Sequence, residues 1–172
     1  MLGAVLLYVG IVLISNGIAR LSKIDPRSQS IMNLFTGGLS VIANIITIVF
    51  GEFLTSRSDF YAAATGLLFG FTYLYIALNG IFKLDQRLYG WYSLFVAINS
   101  IPAGLISFFS GGFFNISMAI IWWLWGLLWL TGWIETVLKI NLGKSVGYLS
   151  VFEGIVTAWI PGFLMLLSMW PK

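Results

Sequence analysis

Charged side chains divide this chain into long uncharged stretches. None occurs in residues 1–19, 28–51, 60–82 or 88–134, and after Lys144 an apolar stretch runs to Trp170, interrupted only by Glu153. A helix that crosses a bilayer takes about 20 apolar residues. The fourth stretch is long enough for two, and it divides at Ser110-Gly111-Gly112, a turn signal. The pattern predicts six membrane-spanning helices at about 2–20, 29–50, 62–82, 89–109, 116–138 and 146–168. The period-two alternation of a spanning β-barrel is not found. The expected fold is all-α and integral to the membrane, residues 1–172 forming a single six-helix domain.

Composition narrows the chemistry. Hydrophobic residues make up 59% of the chain and charged residues 9%, against about 25% charge in a soluble domain. There is no cysteine and no histidine, which removes thiolate sites, disulfides, the commonest general base and the commonest metal ligand. The six acids, Glu52, Glu135, Glu153, Asp25, Asp59 and Asp85, form no pair within one span at a metal-ligand or acid/base spacing. The chain is expected to be no enzyme and to hold no metal or cofactor. The net charge of +3 does not point to nucleic acid, because the basic residues sit in short connections and form no stripe.

Those basic residues set the orientation. Arg20, Lys23, Arg27, Lys83, Arg87, Lys139 and Lys144 fall in the first, third and fifth connections, against Arg57 and Lys172 elsewhere. Lys and Arg mark cytoplasmic loops, so both termini are expected outside. The N-terminal run lacks a basic n-region and a cleavage site, and reads as the first span. Ser22-Lys23-Ile24-Asp25, Phe82-Lys83-Leu84-Asp85 and Leu138-Lys139-Ile140-Asn141 recur 60 and then 56 residues apart. Loop charge alone does not explain the shared Lys-apolar-Asp/Asn order. The chain reads as three repeated helix hairpins, each turned at the cytoplasmic surface.

Some helix faces carry more than lipid contact. Gly3, Gly10 and Gly17 lie within roughly 40° on the first helix, a packing face, as are Gly66 and Gly70 on the third. Leu2, Leu6, Val9, Leu13 and Asn16 share an arc of roughly 80°. On the fifth, Trp122, Trp125, Trp129 and Trp133 do the same, and Trp125 and Trp129 fall near the midplane rather than at an interface. Phe69 and Tyr73 are neighbours on the third helix. Such rings either pack as a core or wall a narrow pore. Glu153 lies roughly 13 Å along the sixth helix from Lys144. An acid at that depth faces a cavity or a partner; it either accepts hydrogen bonds from Tyr, Trp or backbone donors or is protonated. Glu135, four residues before Lys139, is expected to form an exposed ion pair with it.

Four stretches carry a resemblance: Met1-Leu2-Gly3 through Ser15-Asn16-Gly17, Ala64-Thr65-Gly66-Leu67-Leu68-Phe69-Gly70 through Tyr75, Trp91-Tyr92-Ser93-Leu94 through Asn99, and Glu153-Gly154 through Trp159-Ile160-Pro161. The chain resembles the bacterial urea channel and amide transporter family (AmiS/UreI) over nearly its whole length. The resemblance implies protomers of a hexameric ring (a homo-hexamer), one pore per protomer, and lipid filling the ring centre. Urea or short amides would pass inward, down their gradient, to a cytoplasmic urease or amidase. It also implies a constriction of Trp122, Trp125, Leu128, Trp129, Phe69 and Tyr73. Leu2, Leu6, Val9 and Leu13 would line the first helix with Asn16 below, and Glu153 would match the family's buried glutamate. Acid-gated members of the family carry long, histidine-bearing outer loops, whereas here the second connection is short and histidine is absent. Met118 stands where the acid-gated urea channel has Trp.

The resulting expectation is a passive, proton-independent channel for urea or short aliphatic amides in the bacterial cytoplasmic (inner) membrane. The rivals are a proton-coupled amide carrier using Glu153, and a non-transporting membrane receptor or scaffold.

Overall fold

The computed structural model describes residues 2–54 and 60–170, with the side chains of residues 51–54 set aside. Arg57 and Lys172, the outer members of the charge count, lie outside the described residues, as does Met1. Among the described residues all regular structure is helical. The helices are α1 (Leu2–Leu21), α2 (Pro26–Leu54), α3 (Phe60–Phe82), α4 (Arg87–Ser110), α5 (Gly112–Thr136) and α6 (Ser145–Glu153). A π-helical turn over Gly154–Trp159 then leads into α7 (Ile160–Leu166). The last three form one continuous span, so among the described residues six helices are long and apolar enough to cross a membrane. The protein is a multi-pass membrane protein. The sequence-predicted spans are all present. The break in the long apolar stretch is one residue, Gly111 at φ 67°, where a side chain would be strained.

The repeat is visible in the backbone of the connections. Lys23, Lys83 and Lys139 all adopt the left-handed conformation, at φ 53°, 53° and 60°, which a residue other than glycine rarely adopts. Two residues on, Asp25, Asp85 and Asn141 each accept a backbone N–H through Oδ1: from Arg27 at 2.8 Å, Arg87 at 2.9 Å and Gly143 at 2.7 Å. The lysine ends one helix as a left-handed cap, and the side-chain carbonyl or carboxylate that follows closes an Asx turn into the next.

The chain divides into two compact units, Asp25–Leu84 and Leu2–Ile24 with Asp85–Lys172. In the first, α2 runs antiparallel against α3 through small residues. A Cβ built on Gly37 would lie 2.8 Å from the Leu74 nitrogen, and one on Gly80 would lie 3.0 Å from the Pro26 carbonyl oxygen. Ser30, Asn33, Thr36 and Ser40 form a buried polar row on α2. Their protons go to backbone where seen: Ser30 Oγ to the Pro26 carbonyl at 2.7 Å and Asn33 Nδ2 to that of Gln29 at 3.0 Å.

In the second unit α4 packs along α5, and α1 packs along the last span. The α1 glycines, seven residues apart, meet Gly147, Gly154 and Gly162 in antiparallel order. A Cβ on Gly17 would stand 2.5 Å from the Gly147 oxygen, one on Gly154 2.9 Å from the Gly10 oxygen, and one on Gly3 3.0 Å from the Gly162 oxygen. The partner glycines are seven and then eight apart. Eight residues of α-helix would carry Gly162 roughly 80° off the face of Gly154. The π turn lies in that longer interval and absorbs the extra residue, as single-turn π-bulges do.

Candidate functional site

The repeat extends from the loops into the helix faces. Counted back from Lys23, Lys83 and Lys139, the tenth residue is Leu13, Tyr73 or Trp129, and the fourteenth is Val9, Phe69 or Trp125. All six are buried. The thirteenth is Gly10, Gly70 or Gly126 in turn. The candidate lining residues of α1, α3 and α5 thus hold equivalent positions in three copies of one helix. Leu6 and Trp122, both buried, share a further equivalent position with Gly66. The even-numbered spans repeat as well. Leu34-Phe35-Thr36-Gly37, Leu94-Phe95-Val96-Ala97 and Val151-Phe152-Glu153-Gly154 each expose their phenylalanine and bury the next residue. Glu153 therefore occupies a slot filled by Thr36 and Val96 in its counterparts.

In the first unit α3 buries Phe69 and Tyr73, and Thr72 between them bonds its own helix at the Leu68 carbonyl, 2.7 Å away. In the second unit α5 presents Trp122, Trp125 and Trp129 as a buried stripe. Trp122 and Trp125 meet edge to face, with centroids 5.5 Å apart and planes at 81°, the arrangement favoured by the ring quadrupoles. Trp125 Nε1 donates to Thr157 Oγ1 at 2.8 Å, and Thr157 Oγ1 donates to the Glu153 carbonyl at 2.5 Å. Ser150 Oγ donates to the Leu13 carbonyl at 2.7 Å, joining the last span to α1. Leu128 and Asn16 are half-buried, and Leu2 is exposed at the N-terminal end of α1.

Glu153 is 0% exposed, and neither carboxylate oxygen has a hydrogen-bond partner among the described residues. Of the two expected explanations, acceptance of hydrogen bonds from Tyr, Trp or backbone is not what the geometry provides. Its backbone carbonyl, rather than its side chain, takes part in the Trp125–Thr157 chain. No group of three or more Asp or Glu that would hold a metal occurs among the described residues. A hollow of about 370 Å³ beside Leu94, Ile98, Trp123 and Leu130 is open and almost wholly apolar, a face suited to lipid.

The expected Glu135–Lys139 pair does not form. α5 ends at Thr136, so Lys139 lies beyond the helix in its left-handed turn and no longer stacks one turn below Glu135. Glu135 instead takes Arg20 of α1 in a bidentate pair, Nη1 to Oε2 at 2.8 Å and Nη2 to Oε1. Arg20 Nε also donates to the Gly143 carbonyl at 2.7 Å, and the Leu142 N–H donates to Glu135 Oε1 at 3.0 Å. One clasp therefore fastens the C-terminal end of α1, the C-terminal end of α5 and the 138–144 connection. In the middle connection, Arg87 donates from both its backbone N–H and its guanidinium to Asp85, holding that carboxyl down to about 2.

Sequence reasoning missed Thr157, Ser150 and the Arg20–Glu135 clasp. Thr157 and Ser150 left a trace, falling at the register of Ser40 with Ser100 and of Asn33 with Ser93.

Residues 1–169 match the profile of the AmiS/UreI family transporters. The chain is 50% identical to the acid-activated urea channel of Helicobacter pylori, covering 99% of this chain and 100% of that one, in an alignment of 194 positions. It is 37% identical to a proposed amidate substrates transporter protein of Mycolicibacterium smegmatis, over 98% of this chain and 78% of that one. The crystal structure of the H. pylori urea channel superposes with a TM-score of 0.90 at 52% identity, covering 99% of both chains. The relatives are transporters rather than enzymes, and this chain, with six spans and the three-fold repeated helix faces described above, belongs to the AmiS/UreI family.

Proposed function

We propose that this chain is a passive, proton-independent channel for urea and short aliphatic amides. The observation that carries the reading is the equivalence of Leu13, Tyr73 and Trp129 and of Val9, Phe69 and Trp125, all buried, at one register in three helix copies. Each of the three copies thus carries, at the same repeated and buried positions, the side chains that this reading assigns to the lining. We assign Leu2, Leu6, Val9, Leu13 and Asn16 to the α1 lining and Phe69 and Tyr73 to α3. Trp122, Trp125, Leu128 and Trp129 come from α5, with Glu153 from the last span.

Urea is small, flat and uncharged, so it fits between ring faces. Ions are turned back because an apolar constriction cannot replace their hydration. The Trp125 N–H is engaged by Thr157, so that residue offers a face and not a donor. The names of the relatives, one a urea channel and one a transporter of amidate substrates, support both solute classes. The absence of histidine supports proton independence, in contrast to the relative called acid-activated. The reading extends to a single six-helix domain per protomer, with both termini outside the inner membrane. It also includes a homo-hexameric ring with lipid at its centre and a cytoplasmic urease or amidase that consumes the solute.

Urea uptake into proteoliposomes at pH 5 and pH 7.5 tests it. The expected rates are similar, and Trp129→Ala loses selectivity among urea, water and thiourea while assembly is kept. Rates differing about tenfold, equivalent to ~1.4 kcal/mol in barrier height, refute proton independence. A second reading, a proton-coupled carrier, draws on the unpartnered Glu153 carboxyl. It predicts uphill accumulation driven by a pH gradient and abolished in Glu153→Gln.

A further inference from the structure

Thr157 is fully buried in the π turn and joins the Trp125 indole to the Glu153 backbone. An indole N–H only donates and a backbone carbonyl only accepts. The chain therefore has one direction: Trp125 Nε1 to Thr157 Oγ1, and Thr157 Oγ1 to the Glu153 oxygen. The single hydroxyl proton is committed to the backbone, and a hydroxyl lone pair is turned to the ring. Trp122 touches Trp125 edge to face, a contact that tolerates tilting. The ring torsion of Trp is itself broad. A hydrogen bond at the far corner of the indole removes that freedom. Its acceptor is seated on the same backbone turn that keeps the last span in step with α1.

We propose that Thr157 is a positioning residue for the aromatic constriction: by holding Trp125 Nε1 it fixes the tilt of that ring and withholds its only donor from the solute. This rests on the assignment of Trp125 to the channel lining. Discrimination at Trp125 is then by thickness and flatness, and the residue that sets it stands one hydrogen bond behind the wall.

The test uses the whole protein, purified and reconstituted as wild type, Thr157→Val, Thr157→Ser, Trp125→Phe and the Thr157→Val/Trp125→Phe double variant. The readout is the ratio of urea to thiourea permeability by stopped-flow light scattering. Valine keeps the shape and loses the hydroxyl, and the ratio should fall about fivefold, the scale of one net hydrogen bond. Serine should restore it. Trp125→Phe should shift the ratio in the same way, and adding Thr157→Val to it should change nothing further. A wild-type ratio in Thr157→Val, or a double variant whose shift is the product of the two singles, overturns the proposal. Should Thr157→Val fail to assemble, Trp125→Phe decides, because an unaltered ratio there overturns it equally. Wild-type vesicles no faster than protein-free ones would sink the channel reading itself; wild-type flux with unaltered variants sinks only the role of Thr157.

Discussion

Gly10 is where the backbone contact between α1 and the last span can be measured. A Cβ built there would lie 2.7 Å from both the nitrogen and the Cβ of Trp159 and 2.8 Å from its Cα. Carbon atoms in contact sit about 3.5–4.0 Å apart, so Gly10→Ala must part the two helices by roughly 1 Å. Two of the obstructing atoms are backbone and the third, the Cβ, is fixed directly to it, so none can swing aside. Overpacking of this kind costs about 1–3 kcal/mol. The parting also strains the Ser150–Leu13 bond one turn away, worth about 1 kcal/mol. Alanine returns roughly 1 kcal/mol through better helix propensity, leaving a net loss of about 1–3 kcal/mol. Gly38 in α2 is the control, because a Cβ there meets nothing within 4 Å and only the propensity gain remains. Thermal unfolding of the purified protein in detergent, followed by tryptophan fluorescence, reads both. At about 2–4 °C per kcal/mol for a chain of this size, Gly10→Ala should melt several degrees below wild type and Gly38→Ala at or slightly above it. Equal melting temperatures for the two variants would refute the close approach.

The π turn predicts an asymmetry between single-residue deletions at two exposed positions, Val156 and Phe152. Removing Val156 makes the second glycine interval seven like the first and should leave assembly intact, whereas removing Phe152 makes the first interval six and should abolish it on size-exclusion chromatography. For the Arg20–Glu135 clasp, Glu135→Gln should speed protease cleavage within 138–144 while Lys139→Ala does not. The stability change should stay under about 1 kcal/mol, since both partners are partly exposed. Asp85 is held at about 2, below its unfolded value of about 3.9. Its contribution is therefore complete above that unfolded value and is lost only as pH falls through about 2. Cleavage of the 82–87 connection should be constant from pH 7.5 to pH 5 and faster throughout in Asp85→Asn.

The spans were legible because in lipid a charge marks a helix end almost without exception, and the gaps between charges are long. Pro26, suited to the first turn, starts α2 earlier than the apolar run alone indicates. The buried rings and Glu153 were legible for the same reason, since each is out of place in hydrocarbon unless it faces something. Thr157 was not legible as a partner of Trp125, because that bond spans 32 residues and depends on how α5 meets the last span. The π turn was hidden as well. Its one trace is a glycine interval of eight where its neighbour is seven, and periodicity averaged over a helix does not register one residue. Glu135 was misassigned because i,i+4 pairing presumes that the helix continues, and a lysine in the left-handed conformation is not the helix stop that propensity anticipates.

Those three left-handed lysines have a consequence for biogenesis. Glycine would make the same bend at less conformational expense, but it carries no charge for the insertion machinery to sense. By giving the bend to lysine, each repeat makes one residue both the hinge that shapes the loop and a positive charge of the kind that biases which side of a membrane a loop takes. A mutation that relaxed the bend with glycine would also erase one vote on which way the finished protein faces.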